Sequence, residues 1–149
     1  MEDTSMRRLT PIGPVAILLL SALVAQAYIT AVIKDYRGIF VGTDRDQVHQ
    51  KLGKPKDESP AEDDFEPSDS ESVRVFYDEA KKVKALVITY SGKLDAAPKP
   101  IDVIGEPIEA RPDGGMYKMV RFEDKGFWVS YVKTAGDNPS VMITVQSLK

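Results

Sequence analysis

The 149-residue chain has no cysteine, a single tryptophan and a single histidine. Without cysteine there is no disulfide, no thiolate metal site, no cysteine nucleophile and no lipid-modified cysteine of the lipoprotein kind. Zinc needs three or four N, S or O ligands, and one histidine with no thiol is a poor start to such a set. An excess of positive charge is also missing. The formal net charge is -3 and no basic stripe interleaved with aromatics occurs, which argues against a nucleic-acid partner. The sequence contains no G-x-S-x-G elbow, no phosphate-cradling glycine motif and no alternating Asx calcium loop. These gaps lead to the expectation of a protein that is not an enzyme, with no cofactor, no metal and no evident small-molecule substrate. Hydrophobic residues at 42% and charged residues at 29% are the proportions of a globular chain rather than a disordered one. The length allows one domain and an appendage.

Charge is absent from one long stretch. Between Arg8 and Lys34 lie 25 uncharged positions, and residues 12–33 are apolar apart from small or weakly polar side chains. As a helix at about 1.5 Å per residue, that stretch would span the roughly 30 Å hydrocarbon core of a bilayer. Arg7 and Arg8 favour a cytoplasmic N-terminus, while Lys34 and Arg37 weaken the asymmetry. Residues 1–8 then read as a cytoplasmic N-terminus and 9–33 as a transmembrane signal anchor or a signal peptide. In the second reading Ala25-Gln26-Ala27 is the A-x-A cleavage site, although 28–33 continue the apolar run beyond it. A buried core helix of a cytosolic protein is disfavoured by the length. Both leading readings put the remainder outside the cytoplasm. That means a bacterial inner-membrane protein with a periplasmic C-terminal domain, or a secreted or periplasmic one if cleaved after Ala27. Membrane lipid is the expected partner of residues 12–33.

Past a linker at 34–41, the punctuation predicts alternating elements. Thr43 with Asp46 approximates a capping box, Val48 and Leu52 share a helical face, and Gly53 and Pro55 end the helix expected over 44–52. Residues 57–71 hold eight acids and two prolines, and this composition predicts a mobile acidic loop. Strands are predicted at 73–77 and 83–90 as a hairpin, and at 116–122, 127–133 and 141–147. A short helical turn from Pro100 precedes the last three. Leu52-Gly53-Lys54-Pro55 and Ile104-Gly105-Glu106-Pro107 repeat one pattern, apolar, Gly, charge, Pro, 52 positions apart. The predicted fold is therefore α+β: a single N-terminal membrane helix or signal segment, then two degenerate helix-plus-meander repeats, 42–97 and 98–149. Together these would form an antiparallel sheet of about five strands with helices on one face.

The string Gly42-Thr43-x4-Val48-x3-Leu52-Gly53-x-Pro55, followed by hairpin strands, resembles repeats of the β-lactamase-inhibitor-protein-like fold. It is also similar to the small lipoprotein of the outer-membrane β-barrel assembly machinery. The resemblance covers roughly 42–149 and implies a non-catalytic envelope module that binds other proteins. Because the lipobox cysteine is absent, a peptide helix would have to replace the lipid. No functional residue is carried over.

Few residues invite a chemical role. His49 is a candidate general base if a carboxylate orients it, but on a helix flank it reads more simply as a partly exposed structural side chain. The acids of 57–71 run consecutively at Glu62-Asp63-Asp64, unlike calcium loops, and nothing singles out a hydrolytic carboxylate pair. Aromatics concentrate in the predicted strands. Alternation puts Trp128 on the face opposite Phe127 and Tyr131, so Trp128 is a candidate protein-binding anchor. Phe65, the one large apolar residue of the acidic segment, is the other. The leading expectation is a non-enzymatic, membrane-anchored protein-binding module of the cell envelope. The alternatives are an accessory single-span subunit of a larger respiratory or photosynthetic complex, with Ala25, Ala27 and Ala31 permitting close helix packing, and a small envelope hydrolase using carboxylates.

Overall fold

The computed structural model describes residues 36–149. The segment expected to enter the membrane, 9–33, lies outside the described residues. Among the described residues no helix is long and apolar enough to cross a membrane.

Helix α1, Arg45–Leu52, opens the folded part. Four strands follow: β1 Asp57–Glu58, β2 Glu62–Ser68, β3 Glu71–Tyr77 and β4 Val83–Tyr90. Helix α2, Pro100–Ile104, leads into β5 Met116–Phe122, β6 Phe127–Lys133 and β7 Val141–Ser147. All seven strands join one antiparallel sheet in the order β1-β2-β3-β4-β7-β6-β5. Each half is thus a short helix followed by a meander, and the two meanders meet through their last strands, β4 and β7.

Alternation of side chains assigns the two faces. Val73, Val75 and Tyr77 of β3 point into the core, while Ser72, Arg74 and Phe76 point away. In β4 the pairing shifts, with Phe76 opposite Ala85 but Tyr77 opposite Val83, so Lys84 is an extra residue. That bulge lets Val83 and Leu86 face the core together, which strict alternation would forbid. Val48 of α1 is fully buried in the same core as Leu86 and Ile88. The Tyr131 hydroxyl, on the same sheet face, donates to the Pro98 carbonyl just before α2. Among the described residues both α-helices therefore lie on one face, and the other carries none.

Several local expectations are corrected. The sheet has seven strands, not five. The acidic segment 57–71 is not a mobile loop but holds β1 and β2, because Asp63 and Phe65 alternate inward with Val75 and Val73 opposite them. The expected linker 34–41 contributes Ile39, 1% exposed, to the core. The Thr43 hydroxyl does not cap α1 but accepts from the Phe40 N–H, and Asp44 is the residue before the helix. Gly53 ends α1 with φ 83° and ψ -156°, whereas Gly105 ends α2 in the left-handed region at φ 85° and ψ 0°.

Candidate functional site

Asp63 has a side chain with no exposed surface, in a strand whose inward neighbours are apolar. Burying a carboxylate without partners is prohibitive, so its surroundings must supply charge and donors. They come from α1 and β3. Arg45 Nε lies 3.0 Å from Oδ2 and Nη2 lies 2.5 Å from Oδ1. His49, one helical turn further on, brings Nε2 to 2.7 Å from Oδ2, and the Tyr77 hydroxyl donates to the same oxygen at 2.8 Å. Arg45 also reaches Glu58 Oε1 at 2.9 Å, and its guanidinium stacks over the Tyr77 ring at 5.0 Å.

Burial on its own pushes the Asp63 carboxyl up, but the hydrogen bonds from His49, Tyr77 and Arg45, with the Arg45 charge, outweigh it and hold the group below its ordinary value. The same contact acts oppositely on Tyr77, whose hydroxyl is pushed well up by burial and then by the neighbouring Asp63 carboxylate. An ionised Asp63 accepts from the protonated Nε2 of His49, which leaves Nδ1 as the second ring nitrogen. This is how a carboxylate orients a general base. The shallow depression in front of His49 is lined by Asp44, Arg45, Asp46, Glu58 and Lys81, none of them a hydroxyl or thiol nucleophile.

His49, Glu58 and Asp63 each place one potential ligand atom within 4.8 Å of the others, which would suit a cation. Arg45 Nη2 already bridges Glu58 and Asp63. The guanidinium fills the cation's role, and the cluster reads as a closed structural network.

A second, partly buried acid is paired in a similar way on β3. Glu71, with 11% of its side chain exposed, pairs with Arg37 at 3.0 Å. Burial and the Glu71 carboxylate push the nearby Tyr90 hydroxyl up to about 12 and raise that of Tyr36 further.

On the helix-bearing face an apolar cleft of about 240 Å³ opens between the Tyr36–Phe40 turn and the stretch from Pro98 to Val103. The helix-free face presents rows of side chains set by register. Tyr117 stands beside Val132 and Met142, Met119 beside Ser130, and Arg121 beside Trp128 and Gln146. Tyr117 is 52% exposed, Met119 43% and Met142 40%.

No protein-family model matches the chain, and no curated protein matches it. Among solved structures, the chain is similar to the crystal structure of a DUF4309 family protein (YjgB) from Bacillus subtilis. The two share 12% identity at a TM-score of 0.49, over 85% of this chain and 97% of that one.

The residues singled out from the sequence fall in different places. Phe65 is 2% exposed, part of the core, with its ring edge-on to His49 at 6.0 Å. It offers no surface to a partner. Trp128 is half-buried on the helix-free face between Arg121 and Gln146, two residues along β6 from Ser130, which stands opposite Met119. His49 is on α1 with 30% of its side chain exposed. Sequence reasoning missed Asp63, Arg45 and Tyr77. The available signals were the inward alternation of Asp63 with Phe65 and the four-residue spacing of Arg45 and His49.

Proposed function

We propose that this protein is an exported module of the bacterial cell envelope, held in the inner membrane by residues 12–33, which binds another protein and performs no chemistry of its own. The observation that carries the reading is the helix-free sheet face. Monomeric proteins seldom leave contiguous aromatic and methionine side chains uncovered, and these residue types are favoured at interface centres. Tyr117 and Met142 flank Val132 across three adjacent strands, Met119 follows in the next row, and half-buried Trp128 stands one row beyond. Exposed Lys84 and Lys149 border a shallow groove beside them with Phe76 and Val87. An apolar surface rimmed by carboxylates is the complementary partner. The Asp63 cluster supports a non-catalytic reading, since its carboxylate is engaged by Arg45, His49 and Tyr77 and the depression before His49 is lined by no hydroxyl or thiol nucleophile. The motif resemblance to protein-binding envelope modules points the same way.

The test uses the full chain in bacterial membranes, with a photoreactive amino acid at Tyr117 or Met119 and, as control, at Glu79 in the β3–β4 turn. A discrete adduct from the first two positions and not from the third is expected. No adduct, or equal labelling at all three, would sink the binding face. Protease added to spheroplasts should digest residues 36–149; protection would sink the location.

A further inference from the structure

The cleft on the helix-bearing face is a gap in the cover over the sheet. Leu86, Ile88, Ile143 and Val129, all buried, form its floor where the two meanders meet. Phe40, 37% exposed, stands at one side, and Asp102 and Val103 of α2 line the other. Tyr36 lines the cleft, and among the described residues its buried hydroxyl makes no hydrogen bond of ordinary geometry, although the Glu71 carboxylate lies nearby. The adjoining turn carries Arg37, paired with Glu71 at 3.0 Å, and lies near Lys51, while Asp102 lines the opposite side of the cleft. Arg37 is half-exposed, and Lys51 Nζ lies so close to Gly38 that an added Cβ would stand 2.9 Å from it.

The proposed membrane segment limits where this cleft can be. The uncharged run ends at Ile33, three residues before Tyr36. Three residues span at most about 10 Å, little more than the headgroup layer on one side of a bilayer. We propose that the cleft takes the acyl chain of a phospholipid from the membrane that holds residues 12–33. The methylenes lie on the apolar floor, an ester carbonyl accepts from Tyr36, and the phosphate faces Arg37 and Lys51. This inference rests on the membrane placement proposed above and adds an orientation to it. The helix-bearing face turns toward the bilayer, and the face carrying Tyr117 and Met119 turns away, toward a partner in the periplasm.

The experiment reconstitutes the full 149-residue chain in vesicles of phosphatidylethanolamine and phosphatidylglycerol containing a phospholipid with a photoactivatable acyl chain. Flotation reports membrane attachment, and mass spectrometry maps the label. Label on β4 and β7 floor residues is the expected result. Phe40→Asp, which sets a charge on an exposed lining residue, should cut that floor label by about five-fold or more, while labelling of residues 12–33 persists. A chain that floats but carries label on 12–33 alone overturns the lipid cleft and leaves the membrane placement standing. That result also follows if residues 28–33 or a partner's side chain fill the cleft. A chain that does not float overturns both.

Discussion

Arg45, the first residue of α1, holds Asp63 of β2 through two guanidinium nitrogens, at 3.0 and 2.5 Å. The pair joins a helix to the acidic second strand and satisfies a charge that the core would otherwise reject. With His49 and Tyr77 completing the set, the pair ties α1, β2 and β3 into one unit.

Removing the carboxylate should therefore cost far more than a surface charge does. Breaking a buried ion pair from one side typically destabilises by about 3–5 kcal/mol, because the remaining charge stays desolvated. Asp63→Ala belongs in that range, moderated by the Glu58 contact that Arg45 keeps. Tyr77→Phe loses one hydrogen bond to a charged acceptor and should cost about 1.5–3 kcal/mol. Urea unfolding of the two variants checks both figures. Equal, negligible losses would mean that the cluster does not hold the helix.

The same pair predicts the acid response. Asp63 titrates lower folded than unfolded, so its contribution is fully present above its unfolded value of about 3.9 and is lost as pH falls through the lower folded value. The stability gap between the wild type and Asp63→Asn should be flat from neutral pH down to about 5 and narrow below about 4. Denaturant titrations at stepped pH read this directly. A gap that widens toward acid has the wrong sign.

At the alkaline end the tyrosines dominate. Tyr36, Tyr77, Tyr90 and Tyr131 are all pushed above the ordinary value, first by burial and, for the first three, by a neighbouring carboxylate. A raised value means stability that is intact below the unfolded value of about 10 and falls as pH rises through the folded one. For Tyr90 that window runs up to about 12. Tyrosinate absorbance and circular dichroism followed together should show these four ionising with unfolding, not before it.

The outcome at Phe65 shows what composition hides. Strands β4 to β7 follow the boundaries read from β-forming runs, because apolar alternation there points one way only. The 57–71 segment carries the same alternation, but eight acids mask it, and composition speaks for solvent. Only the arrival of Arg45 from a helix earlier in the chain makes Asp63 an acceptable inward residue. A partner distant in sequence is not legible from local pattern. The pairing of β4 with β7, which closes the sheet, is long-range in the same way. Phe65→Ala should accordingly cost about 3–5 kcal/mol, as for a core aromatic. Trp128→Ala, from the half-buried face, should cost clearly less in the same urea assay.

The helix-free face makes the opposite demand, a large effect on binding with little on folding. Met119 is 43% exposed on edge strand β5, across from Ser130, so Met119→Lys neither opens a cavity nor buries a charge. Substitutions at such positions usually stay within about 0.5 kcal/mol of the parent stability. A lysine ammonium in the middle of a desolvated interface is another matter, because the partner must strip its water without supplying a counter-charge. The variant should unfold at the parental urea midpoint yet lose the adduct formed by a photoreactive residue at Tyr117. Retention of that adduct would show that Met119 is bare surface. A lowered midpoint would show that it packs against this chain's own sheet.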